Sequence, residues 1–299
     1  MMASKYRVRH SRTQSEHQRR AKLAVAILDH GTEEQLAEAL AWYRANLNHT
    51  LFVVTERGID DLAQHCPDVS FIHFTTWATL GEKINAVANE CGANYFLITR
   101  SDLYLARFDG QRLFAKGVSR IAWASVVANS HKEVVPSIRR PQSDGTRIDA
   151  ESDFPILDEG RTTRTLYPLL GLAIYDRAVF QRIRGFDERI ESDYYQLLDW
   201  GLRAAMTGHQ VLATSALLMQ FIERESVIED RSEKSGYLRC YTKALSYKKK
   251  RDGTIALKKP KRAILERAVW NGEVKQRLRW QVKEDFASLV ASWPTEAHQ

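Results

Sequence analysis

Short apolar runs recur along the first third of this chain. Residues 23–28, 51–54, 69–74 and 95–98 are dominated by aliphatic and aromatic side chains. Runs of this length suit strands buried on both faces, as in a parallel sheet. Between them the apolar period becomes helical. Thr32 is placed as an N-cap with Gln35 completing a capping box, and Leu36, Leu40 and Tyr43 then share one face through about residue 45. A short helix is expected over 60–65 and a longer one over 81–91, which buries Ile84, Val87, Ala88 and Cys91. Four strand–helix alternations with short connections predict a mostly parallel sheet, and right-handed crossovers bring its strand ends to one edge.

The strand at 95–98 stops in a polar triplet, Arg100-Ser101-Asp102. Ligands of open α/β sheets bind at the carboxyl ends of the strands. The triplet is therefore placed to meet the phosphates of a nucleotide-linked substrate. Further on, the pattern predicts a helix over 111–116 and a strand over 121–128. From 129 to 165 it dissolves, punctuated by Pro136, Pro141, Gly145, Pro155 and Gly160. A connection that long is usually functional; short hairpin strands and a mobile flap are expected. A strand over 169–174, a helix over 177–183, a tight turn at 185–188, a helix over 194–206 stopped by Gly208 and a strand over 211–218 follow. The expected organisation is a basic, flexible arm (1–22), an α/β domain (23–226, its nucleotide half ending at 128 and its acceptor half spanning 129–226) and a basic helical C-terminal appendage (227–299).

Composition narrows the partners. The 299 residues carry a net charge of +7, which points to anions: phosphates, nucleic acid or an acidic membrane surface. Lys248 to Arg251 and Lys258 to Arg262 concentrate that charge beside Trp270, Trp280 and Trp293, a mixture that attracts acidic membranes when exposed. No nucleic-acid recognition motif is present, and no apolar run approaches the roughly 18 residues that span a bilayer. The basic N-terminus has no apolar segment after its charges, which argues against a secretory signal. Cys66, Cys91 and Cys240 are scattered and odd in number, which fits a reducing compartment rather than disulfides or zinc. The expected location is cytoplasmic, with contact to the inner face of the membrane through the basic segment.

Three motifs resemble the family-2 glycosyltransferases of the GT-A fold. The first is the opening layout, a strand ending in a polar triplet, a helix, then a strand ending at Glu56. The second is Lys83-Ile84-Asn85-Ala86-Val87-Ala88, then the strand at 95–98, then Arg100-Ser101-Asp102 at the spacing of the family's Asp-X-Asp motif. The third is the run 171–180, followed by Gly185-Phe186-Asp187-Glu188 and by Asp199-Trp200-Gly201-Leu202-Arg203. The resemblance covers about residues 23–222. It implies a Rossmann-like, mostly parallel central sheet flanked by helices, and transfer of a sugar from a nucleotide diphosphate to a hydroxyl on a glycan or lipid-linked acceptor in polysaccharide or glycoconjugate assembly, with inversion. By the same resemblance Asp29 and Glu56 would lie near the nucleoside, Lys83 near the phosphates that Arg100 and Ser101 are placed to meet, and Asp102 beside the diphosphate or the sugar. Asp199 is the general base and Asp187 orients the acceptor.

The chain departs from that pattern where the family binds a cation. Arg100 replaces the first Asp of Asp-X-Asp, the acidic pair that opens the later helix is reduced to Asp199 or Asp193, and Gln220 lies where a metal-binding histidine is often found. Mg2+ or Mn2+ would have Asp102 as its ligand but is disfavoured by the Arg100 charge. Two readings follow. Either the Arg100 guanidinium replaces the metal against the leaving diphosphate, or the domain is a non-catalytic module that binds nucleotide sugars or glycans. The structural alternatives are plain: Arg100 paired with an acid at a strand end, Asp29 as a helix cap, Glu56 exposed in a turn, and Asp199 as a charge that favours the helix dipole.

Overall fold

The computed structural model describes residues 5–11, 22–115, 120–144, 147–276 and 278–294. The chain opens with β1 (Tyr6–Arg9), then β2 (Leu23–Leu28), α1 (Glu33–Asn46), β3 (Thr50–Thr55), α2 (Asp60–His65), β4 (Val69–Phe74), α3 (Leu80–Glu90) and β5 (Tyr95–Arg100). Strands β2 to β5 are parallel and lie side by side in the order β4-β3-β2-β5. All residues of β2 and β3 are buried, as apolar runs flanked by helices on both sides require. The capping box of Thr32 and Gln35 forms at the start of α1. Thr79 and Glu82 build another at the start of α3.

After β5 come β6 (Leu103–Phe108), α4 (Gly110–Leu113), β7 (Ala122–Ala128), a hairpin of β8 (Ile138–Ser143) and β9 (Ile148–Asp153), and β10 (Thr163–Thr165). Next are β11 (Ala173–Asp176), α5 (Arg177–Arg182), α6 (Asp193–Met206) and β12 (Val211–Phe221). The central sheet has ten strands in the order β1-β4-β3-β2-β5-β11-β7-β12-β10, with β6 pairing the far half of β12. β11 runs antiparallel between β5 and β7. That inserted strand joins the parallel first half of the sheet to the second half.

Several expectations are corrected. Part of the N-terminal arm is ordered as β1, an edge strand antiparallel to β4, with the Tyr6 ring 5.3 Å from Phe74; residues 12–21 of the arm lie outside the described residues. β6, paired with β12, has no counterpart among the expected strands. The strand expected over 169–174 begins instead as a 3-10 turn, Leu169–Gly171, with Leu170 and Gly171 at positive φ. The helix expected over 111–116 is a single turn, α4. Within the 129–165 stretch the hairpin forms, and its tip at 145–146 lies outside the described residues.

The C-terminal segment holds α7 (Tyr237–Leu245), a hairpin of β13 (Tyr247–Lys249) and β14 (Ile255–Leu257), short 3-10 and π turns, and α8 (Phe286–Ala291). It is less helical than its sequence suggested. Its Cys240, Tyr241, Val269, Trp270, Phe286 and Leu289 share one apolar cluster with Phe96, Tyr175 and Trp200 of the sheet and α6, so it is fastened to the domain by a common core.

One polar contact sets the position of the site. The N-termini of α3 and α6 meet, and Gln196 Oε1 accepts from the Gly81 amide at 2.7 Å while its Nε2 donates to Thr79 Oγ1 at 3.1 Å. A Cβ at Gly81 would lie 2.4 Å from Gln196 Cδ and 2.5 Å from Phe186 Cβ. Only glycine permits this approach, which brings the first turn of α6 to the rim of the parallel half of the sheet.

Candidate active site

At the end of β5 the backbone turns sharply and is stitched to its neighbours. The Ser101 amide donates to Leu28 O at 3.1 Å, and its hydroxyl accepts from the His30 amide at 2.8 Å and donates to the His30 carbonyl. The Ile222 amide, just past β12, donates to Asp102 O at 3.1 Å. Three chain segments thus converge on the Arg100-Ser101-Asp102 triplet, and Ser101 is spent on holding them together.

Arg100 grips Asp102 with both arms of its guanidinium, Nε to Oδ1 at 2.9 Å and NH2 to Oδ2 at 2.7 Å. Arg224, on the loop after β12, brings Nε to 3.4 Å from the same Oδ2. Its NH2 lies 2.7 Å from His30 Nε2. The Phe221 ring lies beside both guanidiniums, at 5.7 Å from Arg100 and 5.1 Å from Arg224. Burial lowers the His30 pKa to about 4, with the positive charges of Arg100, Arg224 and Lys83 acting in the same direction and Asp102 against them. A neutral imidazole then accepts from Arg224. Arg224 carried no local signal in the sequence. Gln220, which did, has its amide 3.5 Å from Ser130 O instead.

Lys83, whose charge reaches His30 and Asp193, pairs with Glu56 at 2.8 Å, and Glu56 Oε1 also accepts from the Ala78 amide at 3.2 Å. That contact anchors the loop carrying Trp77, whose side chain is 64% exposed. Asp29 is buried rather than open. Its Oδ2 accepts from Thr55 Oγ1 at 2.5 Å and faces Arg57 Nε at 3.4 Å, whereas Oδ1 has no hydrogen-bond partner among the described residues.

Asp193, at the first turn of α6, completes the cleft. Its Oδ1 accepts from the Leu80 amide at 3.1 Å. The residue is exposed, but crowding around its carboxyl raises the pKa by desolvation, against the Leu80 amide and the nearby charges of Lys83 and Arg100. The Ser192 hydroxyl caps the helix by accepting from the Tyr195 amide; that Ser-Asp pair is the sequence signal for this position.

The structure does not bring Asp187 and Asp199 to this cleft. Asp199 is 1% exposed and is held by Arg203 at 2.8 Å and Lys243 at 2.9 Å. Asp187 accepts from Arg239 at 2.6 Å and from Lys243. Neither makes a described hydrogen bond or ion pair with Asp29, Glu56, Lys83, Arg100, Ser101 or Asp102. Six residues of helix separate Asp199 from Asp193 at the rim, and its burial removes the access that a base for an incoming hydroxyl needs.

The donor set of the rim does not fit a divalent cation. Mg2+ seeks several oxygen ligands at about 2.0–2.1 Å, whereas Asp102 already has both oxygens on Arg100 and a second arginine beside it. Among the described residues no group of three His, Cys, Asp or Glu side chains is arranged to hold a metal ion.

No family model matches the chain. No curated protein matches it. Among solved structures, GalNAc-T7 with UDP, GalNAc and Mn2+ superposes with a TM-score of 0.55 at 12% identity, covering 71% of this chain and 45% of that one. This chain therefore spans less than half of that protein's length. The catalytic domain of Drosophila β1,4-galactosyltransferase 7 in complex with xylobiose aligns over 64% of this chain and 65% of that one at 12% identity, with a TM-score of only 0.36. A parallel half-sheet flanked by helices, an antiparallel strand inserted beside β5, a polar rim at the β5 terminus and the GalNAc-T7 superposition agree on one architecture, and the chain has the GT-A fold.

Proposed function

We propose that this protein is a glycosyltransferase, similar to family 2 and inverting, that moves a sugar from a nucleotide diphosphate to a hydroxyl acceptor without a bound metal. The observation that carries this reading is the position of Arg100 at the carboxyl end of β5, where a fold of this kind presents its nucleotide phosphates. A buried guanidinium gives charge-assisted, two-pronged hydrogen bonds to phosphate oxygens, each worth about 1.5–3 kcal/mol. Lys83 adds a second positive charge close enough to act, with Arg100, on Asp193. Asp29, expected beside the nucleoside, is instead held inside the rim by Thr55 and Arg57 and meets no ligand directly. Glu56 and the exposed Trp77 flank the same end of the cleft.

In this reading Asp193 takes the role first assigned to Asp199. Its carboxylate removes the proton of the acceptor hydroxyl as that oxygen attacks the anomeric carbon. The bond from that carbon to the diphosphate oxygen breaks, and the charge that develops on the leaving diphosphate is met by Arg100 and Lys83. The UDP and GalNAc bound by GalNAc-T7 support the class of donor. The acceptor is a glycan or lipid-linked sugar of polysaccharide or glycoconjugate assembly. The exposed basic run Lys248–Arg251 faces an acidic membrane surface at a cytoplasmic location.

A panel of nucleoside diphosphate sugars, incubated in EDTA with oligosaccharide and lipid-linked acceptors, tests the reading. It predicts release of nucleoside diphosphate and a product of inverted anomeric configuration. Tight donor binding with no transfer to any acceptor would favour the binding-module reading, which the engaged state of Asp102 alone supports.

A further inference from the structure

The pairing of Arg100 with Asp102 reproduces, inside the protein, the contact that a phosphate makes with arginine. A carboxylate presents two oxygens to Nε and NH2 in the plane of the guanidinium, as a phosphate does. Here both oxygens are within 2.9 Å of Arg100, and Arg224 adds Nε at 3.4 Å from Oδ2. The two arginines approach from segments more than a hundred residues apart in sequence and share the Phe221 ring. Arg224 is further fixed by His30 Nε2 at 2.7 Å and by its carbonyl, which accepts from the Ser130 amide at 2.8 Å. Arg100 is 10% exposed in its side chain and Arg224 40%. The clamp is therefore anchored at the back and open at the front.

We propose that Asp102 is a built-in stand-in for the donor's diphosphate: it fills a clamp formed by Arg100 and Arg224, and the diphosphate enters by displacing it. This rests on the glycosyltransferase reading and deepens it by assigning Arg224 as a second phosphate-binding residue. The acid at this position then has the opposite effect from a metal ligand. A carboxylate that recruits a cation strengthens nucleotide binding. Asp102 competes for the same guanidiniums and weakens it, and keeps two like charges from lying unpaired while the site is empty. Once displaced, its carboxylate is free to accept from a sugar hydroxyl.

The test is calorimetric titration of the full chain with UDP, GDP and ADP in EDTA. For the nucleotide that the wild type binds, Asp102→Asn is expected to tighten affinity by about tenfold, and Arg224→Gln to weaken it by about tenfold. Weaker or unchanged binding in Asp102→Asn, with metal-free binding intact in the wild type, overturns the stand-in and leaves the glycosyltransferase reading standing. Absence of binding by every nucleotide to the wild type and to Asp102→Asn alike removes both. Should Asp102→Asn fail to fold, Arg224→Gln decides: its guanidinium is partly exposed, and unchanged affinity in that variant overturns the clamp.

Discussion

Replacing Lys243 with alanine is expected to cost about 3–5 kcal/mol of folding stability, because removing one partner of a buried ion pair leaves the others uncompensated. Lys243 is 3% exposed in its side chain, lies 2.9 Å from Asp199 and 3.7 Å from Glu273, and donates to Asp187. Arg203 bonds Asp199 at 2.8 Å and reaches the Ile183 and Gly185 carbonyls at 2.5 and 2.7 Å, while Arg239 joins Asp187 and Glu273. This network fastens α7 to α6 and to the Gly-Phe-Asp-Glu turn. Burial pushes the Asp187 carboxyl up, but Lys243 and Arg239 together outweigh it and hold the group well below the usual carboxylate range. A depressed carboxyl stabilises the fold above its unfolded pKa, and that contribution is lost as pH falls through the acid range towards the folded value. Urea denaturation of wild type and Lys243→Ala at neutral pH measures the cost. A change within about 0.5 kcal/mol, the size of an ordinary surface substitution, would show that the network is not structural.

Asp193→Asn is expected to reduce turnover by about 10²–10⁴-fold, the usual contribution of a positioned general base. Donor affinity should stay near that of the wild type, since the asparagine carbonyl still accepts from the Leu80 amide. The raised pKa of Asp193 adds a sign: activity should fall on the acid side at a higher pH than an ordinary carboxylate gives, because the base works only when deprotonated. Asp199→Asn should instead act on stability, through Lys243 and Arg203. Initial rates from pH 4 to 8 for the wild type, with single-point rates for both variants, separate these roles. Full turnover in Asp193→Asn would assign the base elsewhere.

The parallel half of the sheet is legible because its strands are buried on both faces, so unbroken apolar runs mark them. β2 to β5 and the caps of α1 stand where their residues indicate. Edge strands are harder to read. In β6 Leu103 and Leu105 are buried while Tyr104 and Ala106 face out, a two-residue period over too few positions to outweigh the polar turn before it. β1 lies among arginines and is recognisable only from its partner β4. Arg100 was found because it ends a strand. Arg224 was not, because its place depends on β12 ending beside Asp102, a long-range pairing with no local trace.

The two acids of α6 show a different limit. Asp193 and Asp199 are six residues apart, about 9 Å along the helix axis. The apolar period shows a helix but does not say which carboxylate stands at its mouth. Ser192 as N-cap would have favoured Asp193. The C-terminal charges show the same limit. Arg239 and Lys243 precede the basic run at 248–262 and have no local signal, yet they are buried partners of Asp187, Asp199 and Glu273.

The most direct measurement is calorimetry of the preferred nucleoside diphosphate with wild type and Arg100→Ala, each in EDTA and in Mn2+. A guanidinium serving in place of a cation predicts the same affinity for the wild type in both buffers, and loss of binding in Arg100→Ala that Mn2+ does not restore. Binding by the wild type that appears only when Mn2+ is added would contradict it.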